Sequence, residues 1–519
     1  MAIKLNKEES IFRNELIFTA DAKAVNIDNT LVNLFMLLKH NGIRPRQRAR
    51  AGENVFINMD ILKNVFNKLE DEGSVIGYKE NPTAVVNWVR CNLVNMVNRG
   101  RMDQEKISSL RPIHLESYRV RNAANTRDYF TADQVYLMLG VNPAVKEELK
   151  DFLGEGWDKT TGKINLNNQL DVDSLSILHI IKNVKPGLLE SSSSLNQIEP
   201  LLNDQAKLYC DDVRRLLVYK RLIPRNVLID YLKTITSFHL SLYIQKLVFH
   251  LPKMIQNGST KINDDWSIVL DATDNYDSKI SKISTKDAES LINSLYDYVK
   301  ATFQINAALR FLSLEKNNSD NLEKAIAVLK DKPKEFDTYF KVLWDSIYFS
   351  LEPEDKILID DMVKYEDNFF DKYIELIIRA RGAYQYKFHV QLIDNLSQKN
   401  NERGLLAQGR STKHFRRFVL GTRLLESLVQ ILVLNVKDDK FETNSLSIEE
   451  LVLKLRERYG LIINGQNETR FENMDLNTNI AFRENLESFK LKLRQIGFYN
   501  DLSDAYILQR IRPRYELKD

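Results

Sequence analysis

The chain has 519 residues, 43% of them apolar and 28% charged, with 74 Lys and Arg against 71 Asp and Glu for a formal charge of +3. This is globular composition with ample material for a core, and it excludes a charge-dominated, histone-like binder, so any site for an anionic polymer must be a local patch. Two cysteines, Cys91 and Cys210, exclude a disulfide framework and a Cys-rich zinc site.

Both cysteines sit in apolar helical patterns and are expected as buried, reduced thiols. The N-terminus, MAIKLNKEESIFRNEL, is charged and lacks the apolar stretch of a secretory signal. The two most apolar windows, 227–251 and 418–436, are interrupted by Asp230, Lys233 and Lys246 and by Arg423 and Glu426. Neither offers the ~18 clean apolar residues of a membrane span. A cytoplasmic protein with no membrane partner is expected.

Glycine (18) and proline (11) are scarce, so breaks should be few and helices long. Residues 1–153 read as an N-terminal helical, winged-helix-like unit. Its parts are an amphipathic helix over 29–39 ended by Gly42, the loop IRPRQRAR with Arg44, Arg46, Arg48 and Arg50, a helix over 60–71 closed by Gly73, a strand-like SVIGY, and a helix from Pro82 to about Asn98. Thr131 and Gln134 have the spacing of a capping box. Residues 154–198 are polar and read as a connector holding one helix near 172–182.

Residues 199–440 read as a long-helix body. One helix runs from Pro200 to about Arg221, and a second starts at Pro224 and is stopped by Pro252. The second is apolar nearly all round and should be central. NDDWSIVLDATDNYDSK is a loop or short strand, followed by helices over about 285–314, 320–330, 334–350 and 355–382. Residues 441–519 read as a C-terminal winged-helix-like module: a Ser447/Glu450 capping box, a helix ended by Gly460, a short LII strand, a helix over 480–496 and a last strand that aligns Arg510, Arg512 and Arg514. The expected fold class is mainly α and multi-domain, with small winged-helix-like α+β modules at both ends.

No P-loop, HExxH, CxxC or GxSxG signature occurs. His239 and His250 share a helix face but lie about 16 Å apart along its axis, too far to share an ion. Asp264, Asp265, Asp271 and Asp274 around WSIVL are the best candidates for nuclease carboxylates, yet their spacing fits no nuclease signature. The chain is read as no enzyme, with no cofactor and no metal. A cryptic metal-dependent nuclease using Asp264, Asp265 and Asp271 is the alternative.

The strongest local signal is residues 378–422, where Arg379, Arg381, Lys387, Lys399, Arg403, Arg410, Lys413, Arg416 and Arg417 stand against Asp394 and Glu402. His389, His414, Tyr384 and Tyr386 are interleaved. Arginine binds phosphate bidentately and stacks on bases, so Arg379, Arg381, Arg403, Arg410, Lys413, Arg416 and Arg417 are nucleic-acid candidates, joined by Arg44, Arg46, Arg48, Arg50, Arg510, Arg512 and Arg514. A solvated face is the bland reading. Gly404 and Gly409, ahead of Arg410, suit either a phosphate seat or a flexible loop.

Two stretches, PRNVLIDYLKTITSFHLSLYIQKLVFHLP (224–252) and ENLESFKLKLRQIGFYNDLSDAYILQRIRPRYEL (484–517), resemble helical accessory proteins of bacterial antiphage defence islands, in particular methylation-associated defence systems. The resemblance implies a bacterial protein working beside a DNA methyltransferase, a nuclease and an ATPase, and it carries over no catalytic residue. The expected function is a non-catalytic DNA-binding or DNA-sensing component of a multi-protein complex, with affinity from phosphate contacts and little sequence reading. A structural scaffold for acidic protein partners is the other alternative.

Overall fold

The computed structural model describes residues 3, 5–47, 57–97, 105–158, 160–165, 170–184, 189–190, 194–195, 198–411, 414–437, 440–466, 468–499 and 510–517. Near the N-terminus, α1 (Ile27–Lys39) starts at Asn26, whose side chain accepts from the Asp28 N–H, and the chain turns out of it at Gly42, φ +86°. After β1 (Arg46–Gln47) comes α2 (Met59–Asp71), capped by Asn58 and followed by Gly73 at φ +73°. SVIGY is a turn rather than a strand. Gly77 takes φ +87°, Tyr78 packs on Phe66 at 5.9 Å, and Ile76 points into solvent.

The helix expected to reach Asn98 is shorter. α3 (Pro82–Trp88) passes through a π turn (Val89–Leu93) into β2 (Val94–Val97), which pairs antiparallel with β3 (Lys106–Leu110). The VNMV run holds two β-branched residues and finds a ladder partner, which decides its state. Cys91 is exposed on the π turn, against expectation, whereas Cys210 is buried with its thiol directed at Met138 O, 3.2 Å away.

Thr131 and Gln134 do not form a capping box. Thr131 is already the first residue of α4 (Thr131–Gly140), behind Phe130 at φ +65°. Its hydroxyl donates to Asp128 O, and Gln134 accepts the Thr19 N–H at 3.1 Å instead. α5 (Pro143–Leu153) follows, then α6 (Val172–Asn183) where one connector helix was expected, and β4 (Leu189–Glu190) pairs back onto β1.

The body starts with α7 (Asn203–Leu217) and α8 (Arg225–Asn257). At 33 residues α8 is about 50 Å long. It runs through Pro252, which was expected to stop it, and ends at Gly258, φ +73°. Burial of α8 on every side from Thr234 to Val248, continued by Leu251 and Met254 beside the proline, outweighs the single backbone hydrogen bond that a proline removes. It packs against α7 and a second 33-residue helix, α9 (Lys279–Phe311), which follows β5 (Ile268–Val269).

Then come α10 (Ser319–Asp331), α11 (Lys334–Tyr348), α12 (Pro353–Met362), α13 (Phe369–Ile377), a π turn (Ile378–Gly382) and α14 (Ala383–Leu396). The single helix expected over 355–382 is thus divided. Asn368 restarts it by accepting the Asp371 N–H at 2.8 Å. β6 (Leu406–Ala407) and β7 (Arg417–Phe418) pair antiparallel, ahead of α15 (Thr422–Leu432) and the hairpin β8 (Leu434–Lys437) and β9 (Lys440–Thr443).

α16 (Ile448–Tyr459) opens on the expected Ser447/Glu450 capping box and ends at Gly460, φ +72°. β10 (Leu461–Ile462) does not pair with a terminal strand. It pairs in parallel with β5, and α17 (Leu476–Gln495) packs on α9. Buried Asn485 ties these elements together: its amide donates to Leu270 O and Ile463 O at 2.9 and 2.8 Å and accepts the Ala272 N–H at 2.8 Å. The LII strand of the expected C-terminal module thus pairs with a strand of the body. The last strand was expected over 505–517; residues 505–509 lie outside the described residues, and 510–517 form no strand, only one antiparallel bridge from Ile511 to Leu446. One apolar core runs from Leu16 to Ile511.

Candidate nucleic-acid interface and a buried polar network

The basic segment divides into arginines used by the fold and arginines left at the surface. Arg416 lies along Asp394 with Nε and Nη2 at 2.9 and 2.8 Å, and Lys399 shares that carboxylate at 2.5 Å. Burial pushes the Asp394 carboxyl up, but the Arg416 and Lys399 bonds outweigh it and hold the pKa below the ordinary value. Arg417 is buried in β7. Its Nε donates to Asp271 at 2.7 Å, and its guanidinium lies 4.0 Å from the centre of the Tyr276 ring. Tyr276 in turn stacks on His414, centroids 4.0 Å apart and planes 7° from parallel. Arg403 reaches across to Asp230 of α8 at 2.5 Å.

Arg379 and Arg410 are exposed with no carboxylate partner among the described residues, and exposed Arg381 donates to Ser10 Oγ at 3.2 Å. Lys413 lies outside the described residues. Of the interleaved aromatics, His389 is buried against Phe12 and Tyr298, and burial drives its pKa down to about 4. The loop between Gln398 and Thr422 is closely packed: a Cβ on Gly404 or Gly421 would sit 2.3 Å from the carbonyl oxygen of Gln398 or Glu402.

The remaining candidates divide in the same way. Arg44 is engaged by Asp128, at 2.6 Å, and by Asp133. The Arg46 side chain, Arg48 and Arg50 lie outside the described residues. Arg514, though exposed, pairs with Glu426, donates to Ile496 O at 2.8 Å and lies over Phe498, whereas exposed Arg510 and Arg512 have no carboxylate partner among the described residues. The three do not share one anionic partner. Arg514 instead joins Arg423 on Glu426, next to the Tyr231 hydroxyl, which donates to the same carboxylate at 2.6 Å.

Each nuclease candidate carboxylate faces a cation. Asp264 meets Lys246 at 2.6 Å and His250 at 3.0 Å, Asp265 meets Lys253 at 3.4 Å, Asp271 meets Arg417, and Asp274 meets Lys492 at 3.2 Å. Among the described residues no three His, Cys, Asp or Glu are placed to hold a metal ion.

The sequence reading missed a polar network between α7, α8 and α16. Asp212, fully buried, accepts from Tyr459 Oη at 2.7 Å, faces His239 Nε2 at 2.8 Å and accepts from Arg458 Nε at 3.1 Å. Gln205 meets His239 Nδ1 at 2.8 Å. Burial raises the Asp212 carboxyl, yet the His239 and Tyr459 bonds and the Arg458 charge bring it below its ordinary value, while burial lowers His239. The network borders a cleft of about 530 Å³ lined by Arg215, Lys246, Asn435, Lys454 and Arg458. In the sequence, Asp212 is one of an acidic pair, Asp211–Asp212, inside a helical pattern. Arg458 lies 246 residues away, so no local spacing marks the contact.

These contacts define a mainly α protein in which a buried polar network joins α7, α8 and α16, with a divided set of surface arginines. The chain belongs to the family of the methylation-associated defense system protein MAD7, whose family model matches residues 7–515. It is a component of a bacterial methylation-associated defence system, and the resemblance of 224–252 and 484–517 thus extends over nearly the whole chain. No curated protein and no solved structure matches it. Among the described residues no helix is long and apolar enough to cross a membrane.

Proposed function

We propose that this protein is a non-catalytic, DNA-contacting subunit of the defence assembly, binding duplex through phosphates with little sequence reading. The observation that supports the reading is the division of the arginines. Arg403, Arg416, Arg417, Arg44 and Arg514 are neutralised by carboxylates of the same chain, while Arg379, Arg381, Arg410, Arg510 and Arg512 face solvent. A guanidinium with an internal carboxylate gains little from a phosphate, and an exposed one releases a counterion when it binds. In this reading the methyltransferase, nuclease and ATPase chemistry belongs to partner proteins.

Fluorescence anisotropy with a labelled duplex tests the reading. Five phosphate contacts predict a loss of about 500-fold in affinity between about 50 and 200 mM salt. Incubation of the same preparation with duplex, Mg²⁺ or Mn²⁺ and ATP should give neither cleavage nor hydrolysis. Cleavage abolished by Asp271→Ala would establish the nuclease alternative. Absence of DNA binding even at the lower salt would leave the same arginines as a surface for acidic proteins, the scaffold alternative.

A further inference from the structure

α11 and α12 carry an apolar surface that the fold does not use. α11 buries Phe336, Phe340, Trp344 and Ile347 toward α13. On the opposite side, Val342 is 65% exposed and Phe349, at its C-terminal end, 73%. These two are seven residues apart, two helical turns, and so share a stripe, with Phe349 about 180° round the helix from Phe340. α12 buries only Ile359, leaving Ile357 and Leu358 70% and 58% exposed, and Tyr365 just beyond it is 85% exposed. The Tyr348 hydroxyl, donating to Asp360 at 2.8 Å, holds α12 to the end of α11. Five large exposed apolar side chains within one helical hairpin far exceed the scattered single residues normal for a surface.

The same hairpin is strongly acidic. Residues 352–367 hold Glu352, Glu354, Asp355, Asp360, Asp361, Glu366 and Asp367 against Lys356 and Lys364, a net of −5 in a chain of +3. An anionic rim repels DNA and acidic membranes, so neither suits this surface. Exposed apolar anchors among predominantly acidic neighbours are the pattern of a protein interface, with the charges setting encounter and specificity.

We infer that the α11–α12 hairpin is the docking surface for a partner protein of the same defence system, which presents a cationic segment with an apolar face. Phe349, Ile357, Leu358 and Tyr365 are the anchors, and Asp361, Asp367 and their acidic neighbours form the rim. The inference is independent of DNA contact, since it uses a different surface of opposite charge.

The full-length chain is tested against each other protein of its defence system, one pair at a time, by affinity capture and calorimetry. Two variants are compared with the natural chain: Ile357→Ser/Leu358→Ser and Asp361→Lys/Asp367→Lys. All four positions are exposed, so melting temperatures should be unchanged. The expected result is one partner whose Kd weakens at least tenfold with either variant. The charge variant should also lose the salt dependence of that binding, while the apolar variant keeps it. Binding of every partner unchanged within twofold in both variants would overturn the inference, as would failure of the natural chain to bind any of them. Concentration-dependent self-association of the natural chain, lost in both variants, would overturn it in favour of a second copy.

Discussion

Arg417 is one of the candidate DNA residues, and its surroundings predict a structural role. Its side chain is 3% exposed and that of Asp271 is 0% exposed. In Arg417→Met the Asp271 charge stays buried and keeps only the Thr273 N–H at 2.8 Å and the Thr273 hydroxyl at 2.6 Å. Removing one member of a buried pair costs about 3–5 kcal/mol. Loss of the cation over the Tyr276 ring adds roughly 0.5–2 kcal/mol, and the retained Thr273 bonds offset part of the total, so about 4 kcal/mol is expected. Urea unfolding near neutral pH measures it. In Arg417→Met/Asp271→Leu no buried charge remains, and the pair should show a coupling energy of about 2 kcal/mol relative to the two single variants. DNA affinity of folded Arg417→Met should stay within twofold. A single variant within about 0.5 kcal/mol of the natural chain, or simple additivity, would show that the buried pair does not hold the fold.

Buried histidines should make stability fall in mild acid. His114 and His389 are 0% and 2% exposed, and burial lowers their pKa values from 6.5 to about 3 and about 4. The unfolded chain takes up these protons near the ordinary value and the fold does not. Stability is therefore complete above that value and declines as pH falls toward the folded pKa values, by roughly 4 kcal/mol for the two at about pH 5. Urea midpoints across this range should decline, His114→Gln/His389→Gln should flatten the decline, and a flat profile for the natural chain would contradict the sign. Gly460→Ala should cost roughly 2–3 kcal/mol, because a Cβ there meets Trp266 O at 2.6 Å as well as a φ of +72°. Gly73→Ala, with φ +73° and open space around it, is the control and should cost about 1 kcal/mol in the same melts.

Local signals were legible where the chemistry is local. The Ser447/Glu450 box, Gly460, and α6 within the polar connector all lie where spacing placed them, because a cap is decided within one turn. Thr131 and Gln134 show the limit. The same spacing occurs one residue too late, and both side chains bond elsewhere in the fold. Pro252 failed as a stop because burial of α8 is a tertiary effect. The basic segment was visible as composition, but its division was not. Arg416 finds Asp394 22 residues away, Arg417 finds Asp271 146 away, and Arg403 finds Asp230 173 away. Charge density along a sequence does not reveal which charges the fold will neutralise.

DNA binding through the exposed arginines can be separated from binding through the paired ones in one variant. The most direct measurement is the salt dependence of duplex binding by a variant with Arg379, Arg381, Arg410, Arg510 and Arg512 all replaced by Gln. This variant should melt like the natural chain, bind weakly at low salt, and have a log Kd against log salt slope reduced by about 4–5. An unchanged slope and affinity in that variant would contradict DNA binding through these arginines.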